Sequence, residues 1–343
     1  MITFYPGPSK VYPQVADYAA QAVRDGIVSM NHRSPGFMAI VERAFALLRE
    51  KLALPADYHI ALVSSATECW EIVAQSLTAS TSLHPSGGAF GDKWREYAHK
   101  IKPMIAPNLA DTLCVVQNET SNGTQVSMDT LAGFRRDFSA LIAVDAVSSM
   151  AGIAFDWILA DVWFASVQKC FGLPAGLAVL IYSPAALKRA QAIGENDHYN
   201  SLLFLHENFS KFQTPYTPNG LGIYCLMRVL EQVPPIAEVD ALTRQHAAEW
   251  YTFFERDMAD SRFRLLIPPT TPERPATRSD TVIAVSGSEA DISAVKKAAQ
   301  QAGIMLGNGY GNWKNTTFRI ANFPAITQAE RDQLRDFLRS YRP

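Results

Sequence analysis

Two charged residues stand at the ends of apolar runs, where they could act on an amine. In Val162-Trp163-Phe164-Ala165-Ser166-Val167-Gln168-Lys169 an apolar strand delivers a lysine to its carboxyl end, and the Gly-rich stretch Gly172-Leu173-Pro174-Ala175-Gly176 follows. Placed in a cleft, a lysine can lose its proton and form an imine with a carbonyl. A lysine at a strand end can equally be a solvated surface charge. The run Leu141-Ile142-Ala143-Val144-Asp145, 24 positions earlier, ends in an aspartate. That carboxylate could cap a helix, hold a metal, or keep a ring nitrogen protonated. The pair suits a pyridine-aldehyde cofactor. The lysine holds the aldehyde carbon, and the carboxylate keeps the ring able to accept electrons from a carbanion.

Two further segments are placed to help. Ser64-Ser65-Ala66-Thr67-Glu68 follows the apolar run Ile60–Val63. Small residues opening a helix let backbone N–H groups approach an anion, with the helix dipole in its favour. The same residues also make an ordinary helix cap. Asn118-Glu119-Thr120-Ser121-Asn122-Gly123 follows another run, Thr112–Gln117, and could present a hydroxyl to a phenolic oxygen, although Asn-Gly favours a turn in any case.

These positions need a sheet behind them. Buried runs at 60–64, 112–117, 140–145, 162–167 and 177–182 alternate with helical patterns such as 67–78, which predicts an α/β lobe with a mostly parallel sheet. Ligands bind at the carboxyl ends of such strands. Prolines at 215, 218, 234 and 235 bracket a long helix over 220–232, and a second long helix over about 237–258 is long enough to bridge two lobes. Pro268, Pro269, Pro272 and Pro275 mark a turn-rich stretch, after which strand 281–285, helix 289–302, strand 317–320 and helix 327–341 make a small α+β lobe. The expected division is a large domain at 16–237 and a small one formed by 1–15 with 238–343.

Composition narrows the function classes. With 48% hydrophobic and 19% charged residues, the chain can bury a sizeable core. A net charge of −2 gives no basic field for nucleic acid or an anionic membrane. Cys69, Cys114, Cys170 and Cys225 form neither a CxxC pair nor a metal-spaced cluster, so free thiols and no metal are expected. The start of the chain lacks a basic, apolar leader, and no apolar run reaches the roughly 20 residues a membrane helix needs. The expectation is a cytoplasmic protein with no membrane or nucleic-acid partner.

Read in order, PGPSKVYPQV, NHRSPGF, SSATECWE, GGAFGDKW, QNETSNG, AVDAVSS, SVQKCFGLPAGL, QTPYTPN and FRIANF resemble the class V, fold-type I aminotransferases dependent on pyridoxal 5′-phosphate. Within the class the chain is most similar to the phosphoserine aminotransferases and the alanine/serine–glyoxylate aminotransferases. The resemblance implies a large lobe on a seven-stranded sheet, a small α+β lobe, and a homodimer with shared active sites. It makes Lys169 the Schiff-base lysine and Asp145 the partner of the pyridine nitrogen. Thr120 would meet the phenolic oxygen. Ala66, Thr67 and Gln168 would bind phosphate, helped by Gln213 and Thr214 of the partner subunit. Phe90 would stack on the ring in place of the usual tryptophan. Arg319 would bind the substrate α-carboxylate, and His32 with Arg33 would reach the partner's substrate pocket.

The substrates implied are small amino and keto acids, with phosphoserine formation from glutamate and 3-phosphohydroxypyruvate ahead of glyoxylate transamination. Two departures bear on this. Thr67 stands where the phosphoserine group carries an arginine. The segment Gly307-Asn308-Gly309-Tyr310-Gly311-Asn312-Trp313-Lys314 lacks the group's His-Arg pair and offers only Lys314. A cysteine desulfurase would need a nucleophilic cysteine in the C-terminal part, where the last cysteine is Cys225. A non-catalytic binding protein on this fold would lack the lysine or its acidic partner.

Overall fold

The computed structural model describes residues 1–85, 87–269 and 278–342. In chain order the strands are β1 (Ile2–Phe4), β2 (His59–Val63), β3 (Thr81–Leu83), β4 (Ala110–Val116), β5 (Asn118–Glu119), β6 (Thr124–Gln125), β7 (Leu141–Asp145), β8 (Val162–Ser166), β9 (Ala178–Tyr182), β10 (Arg264–Leu265), β11 (Val282–Ser286), β12 (Ile304–Asn308) and β13 (Thr317–Ala321). The helices are α1 (Val15–Arg24), α2 (Pro35–Leu52), α3 (Ala66–Ile72), α4 (Ala89–Ile101), α5 (Met128–Asp137), α6 (Pro184–Ile193), α7 (Leu202–Phe209), α8 (Gly220–Gln232), α9 (Ile236–Thr252), α10 (Glu289–Gln301) and α11 (Gln328–Ser340).

Every residue of β7, β8 and β9 is buried, as strands covered by helices on both faces must be. They lie at the centre of a sheet ordered β2-β9-β8-β7-β4-β3. The pairs β3–β4, β4–β7 and β7–β8 are parallel, and only β9 runs against its neighbours. The sheet is therefore mostly parallel, but among the described residues it has six strands, not the expected seven. The stretch 102–106 passes the β3 edge, where the Thr81 hydroxyl lies 3.6 Å from Met104 Sδ. Pro103 and Pro107 each lack a backbone donor there.

Helix starts follow side-chain caps. Ser34, Ser65, Ser127, Ser183, Asn219 and Ser288 each accept from a first-turn amide, and Thr327 with Glu330 forms a reciprocal box. The helix expected over 67–78 is α3 followed by a wider π-type turn, Val73–Leu77. The long helix expected over 237–258 likewise closes α9 with a π-turn, Phe253–Asp257.

A second sheet, β1-β12-β13-β11-β10, carries its own core around Phe4, Trp250, Phe254 and Phe318. Its β1–β12 pairing is parallel and joins the chain's start to residues 304–306. Helix α9 touches both cores, through Ile236 and Val239 on one side and Ala247 and Trp250 on the other. Pro268 and Pro269 lie in irregular chain, while Pro272 and Pro275 lie outside the described residues. Among the described residues no helix is long and apolar enough to cross a membrane.

Candidate active site

The carboxyl ends of β4, β7 and β8 open on one cleft of about 260 Å³, reached from the other side by Arg319 of β13 and by Tyr5 to Pro8 of the N-terminal segment. Lys169 lies three residues beyond β8 and is only 7% exposed. Its Nζ donates to Ser148 Oγ at 2.8 Å and to Thr120 Oγ1 at 3.0 Å, and these two hydroxyls hydrogen-bond to each other. One hydroxyl proton bridges the pair, so the other is free for a further acceptor. Burial draws the ammonium down from 10.5 to about 8, outweighing the opposing pull of Asp145. About one amine in ten is then unprotonated at pH 7. Gly7 packs against the lysine stem, where a β-carbon would lie 2.9 Å from Lys169 Cε.

Asp145 ends β7 and is 4% exposed. Its Oδ1 accepts from the Val147 amide at 3.0 Å and its Oδ2 from Trp70 Nε1 at 2.9 Å. Burial nevertheless raises its carboxyl from 3.8 to about 6, outweighing those bonds and the field of Lys169. Removal from water thus pushes both ends of the lysine–aspartate pair toward neutrality.

Phe90 sits in the first turn of α4, its ring stacked on Tyr310 at 5.0 Å with Lys169 Nζ 5.4 Å from its centroid. The Glu119 carboxylate accepts from the Phe90 and Gly91 amides at 3.2 and 3.1 Å. Gly88 leaves that approach open, since a β-carbon there would lie 2.4 Å from Glu119 Cγ.

At the start of α3 the Ala66 amide donates to Ser166 Oγ at 2.9 Å, and Thr67 is exposed at the cleft lip. Glu68 is buried and accepts from the Ser64 amide and hydroxyl and from the Tyr199 hydroxyl. Gln168 Oε1 and Asn118 Nδ2 are buried in the cleft wall with no partner among the described residues. Arg319 is 4% exposed. Its Nε donates to Asn308 O and its Nη1 to Thr120 O, both at 2.6 Å, while Nη2 makes no hydrogen bond among the described residues. Burial draws its guanidinium down to about 10.

Four expected site residues do not line this cleft. His32 is half-buried with Nε2 unpartnered, and Arg33 is exposed just before α2. Thr214 is buried with an orphan hydroxyl, and Gln213 Nε2 lies 3.8 Å from Met38 Sδ. That contact puts the 31–38 and 213–214 segments side by side. Lys314 is exposed and away from the cleft. Conversely, Trp70, Tyr310 and Gly7 line the cleft and Ser148 meets Lys169 behind it, though the sequence did not mark them as site residues. Their signals were slight: Ser148 is three residues past Asp145, Trp70 is one helical turn past Ala66, and Gly7 lies between two prolines.

An α/β lobe with a buried lysine and a buried aspartate at neighbouring strand ends, facing an arginine from a second sheet, is the arrangement of a fold-type I pyridoxal-phosphate enzyme. The family model "Aminotransferase class-V" matches residues 92–314. A putative phosphoserine aminotransferase from Mycobacterium leprae is 30% identical, the match covering 94% of this chain and 89% of that protein. The crystal structure of a phosphoserine aminotransferase from Cytophaga hutchinsonii superposes with a TM-score of 0.91 at 30% identity, covering 100% of this chain and 99% of that one. An alanine–glyoxylate aminotransferase from Nostoc sp. shares the fold, with a TM-score of 0.80 at 20% identity over 98% and 94% of the two chains. The chain belongs to the class V aminotransferases, and is a transaminase dependent on pyridoxal phosphate.

Proposed function

We propose that this enzyme is of the phosphoserine aminotransferase type, moving the amino group of glutamate to 3-phosphohydroxypyruvate. The observation that carries the reading is the end-to-end agreement with the Cytophaga hutchinsonii phosphoserine aminotransferase at a TM-score of 0.91. The same reading divides the chain into a large lobe at 16–237 and a small lobe of 1–15 with 238–343, and pairs two chains as a homodimer working in the cytoplasm.

The cleft fits the cofactor. Asn118 Nδ2, a buried donor without a partner among the described residues, awaits an acceptor, and the Lys169 amine, drawn down to about 8, is in part unprotonated at physiological pH. When bound, pyridoxal phosphate supplies an electron sink for the carbanion left at an amino acid's Cα. Lys169 is the covalent anchor and the base that takes and returns the Cα proton. Asp145 would face the pyridine nitrogen and hold a proton there, and that positive charge would lower the carboxyl that burial had raised. Phe90 would cover one face of the ring and exclude water. Thr120 would offer its hydroxyl to the phenolic oxygen, and Thr67, Ala66 and Gln168 would hold the phosphate, the Ala66 amide giving up Ser166 Oγ to do so. Arg319 presents its free Nη2 to the substrate α-carboxylate. His32, Arg33, Gln213 and Thr214 serve the partner's cleft, which accounts for their position outside their own.

Ser148 adds a positioning role. Capture of pyridoxal phosphate by the cofactor-free protein is expected to rise about tenfold per pH unit and to level off above pH 8, as the Lys169 amine loses its proton. Ser148→Ala removes one acceptor of that ammonium and so disfavours the charged form. The inflection should move down by about one unit, the size of one hydrogen bond to a charged group. An unmoved or raised inflection in stopped-flow absorbance would refute the role.

A second reading has its own support. Among the described residues lining the cleft, the cations are Lys169 and Arg319 alone. A smaller, unphosphorylated pair such as alanine and glyoxylate needs no more. Half-reactions of the loaded enzyme with single amino acids separate the two. On the first reading phosphoserine aminates the cofactor about a hundredfold faster than serine or alanine. Arg33→Ala then cuts kcat/KM for phosphoserine roughly tenfold to a hundredfold and leaves alanine unaffected, since the lost bond is a charge-assisted one. Efficient turnover of alanine with glyoxylate, and none of phosphoserine, selects the second reading.

A further inference from the structure

A separate cavity of about 370 Å³, within the size range of small-molecule sites, lies where the two cores meet. It opens among the end of α8, the first half of α9, the turn after β13 and the N-terminal residues Tyr12, Gln14 and Tyr18, and shares no residue with the cleft.

Its polar groups are incomplete in a consistent way. Arg331, in the first turn of α11, is only 5% exposed. Its hydrogen bonds go to neutral acceptors: Ile326 O at 2.7 Å, His246 Nε2 at 3.0 Å, and Gln328 Oε1 at 3.1 and 3.2 Å. His246 accepts through that nitrogen and so adds no negative charge. Glu249, the carboxylate whose field reaches Arg331 most strongly, is held by Arg335 at 2.7 Å. Among the described residues Arg331 thus has no anionic partner, and one of its Nη1 hydrogens is unused. A buried cation normally has a counter-charge.

Asn322, 2% exposed, lines the same cavity. Its Nδ2 donates to the carbonyls of Thr243 and Asp280 at 2.9 and 2.8 Å, which fixes the amide's orientation and leaves Oδ1 buried without a donor among the described residues. The Tyr18 hydroxyl is also buried without a partner among the described residues. The remaining wall is largely apolar, including Val229, Val239, Phe323 and Ile326.

A lone cation, a lone acceptor, an idle hydroxyl and apolar walls complement one chemical class. We infer that this cavity binds an α-amino acid with an apolar side chain, its carboxylate on Arg331 and its ammonium on Asn322 Oδ1. Such an occupant would touch both cores and the segment leading to the cleft, where the Tyr12 amide donates to Gly172 O and the Ser9 amide to Gln168 O. It is therefore placed to act on the active site as an effector.

The test must keep this site apart from a cleft that also takes amino acids. Equilibrium dialysis of the cofactor-loaded enzyme with L-leucine should show saturable binding that survives Arg319→Gln and weakens at least tenfold in Arg331→Gln. Leu242→Trp, at the 51%-exposed rim residue, should block it equally and serves if Arg331→Gln does not fold. 3-Methylbutylamine, which lacks the carboxylate, should bind at least tenfold more weakly than leucine. No saturation by about 10 mM, a concentration that would reveal even millimolar affinity, overturns the inference. So does binding that is lost in Arg319→Gln and kept in Arg331→Gln, which would place leucine in the cleft.

Discussion

Lys169→Ala is expected to abolish transamination while leaving the cofactor bound without a covalent link. On the proposed assignment the variant loses both the amine that forms the imine and the base nearest the substrate Cα. A well-placed general base alone contributes up to about 10⁴-fold, so turnover should fall by at least that factor. The contacts proposed for Thr67, Gln168, Asp145 and Phe90 do not depend on Nζ, so dialysis should remove pyridoxal phosphate slowly rather than at once. Added methylamine should restore part of the rate, because the missing group is a small amine. A variant that keeps within tenfold of wild-type kcat would mean that the proton is moved by another residue.

Asp145→Asn has the next largest effect and a signature in stability as well as in rate. The substitution keeps the shape but removes the charge proposed to face the ring nitrogen. Losing one preorganised electrostatic contact in a dry site costs about 10²–10³-fold, and the half-reaction should slow by that much. Stability should respond in the cofactor-free protein. There the carboxyl is raised from 3.8 to about 6 by burial. Between those values the folded state keeps a proton that the unfolded state has released, so stability falls as pH rises from about 4 to 6 and then stays low. The loss is on the order of 3 kcal/mol for a shift of that size. Asp145→Asn has no proton to lose, so the difference in unfolding free energy between variant and wild type should follow that curve. In the loaded enzyme the positive ring nitrogen offsets the penalty and the pH dependence should flatten. Denaturant titrations across pH, with and without cofactor, measure both. A pH-independent difference would show that burial does not control this carboxyl.

The parts of the site that could be read from the chain are those set by local pattern. Lys169 and Asp145 each end a run buried on both faces, and a charge at the end of such a run marks the ligand-binding edge of a parallel sheet. Helix α8 matches its expected span, 220–232, because Asn219 and the prolines beyond bound it closely. Arg319, by contrast, was picked out by resemblance alone, through the run Phe318-Arg319-Ile320 that forms part of β13.

Contacts fixed by long-range geometry were not legible. The bond from Trp70 to Asp145 depends on how α3 lies across the sheet, and that from Lys169 to Ser148 on the register of β7 against β8. The parallel pairing of β1 with β12 joins residues some 300 positions apart, and no local signal foretells it. The seventh strand was implied by resemblance alone, and the large sheet has six strands among the described residues. Arg331 reads in sequence as one more basic residue on a helix. Only the fold reveals that it is buried beside a cavity without an anion.

The central claim is that Lys169 carries the cofactor in this cleft. Reduction of the loaded enzyme with borohydride, followed by proteolysis and mass spectrometry, tests it in one step. The account predicts a single pyridoxyl-phosphate tag, on the peptide containing Ser166-Val167-Gln168-Lys169, absent from Lys169→Ala. A tag on any other lysine, or untagged protein after loading with pyridoxal phosphate, would contradict it.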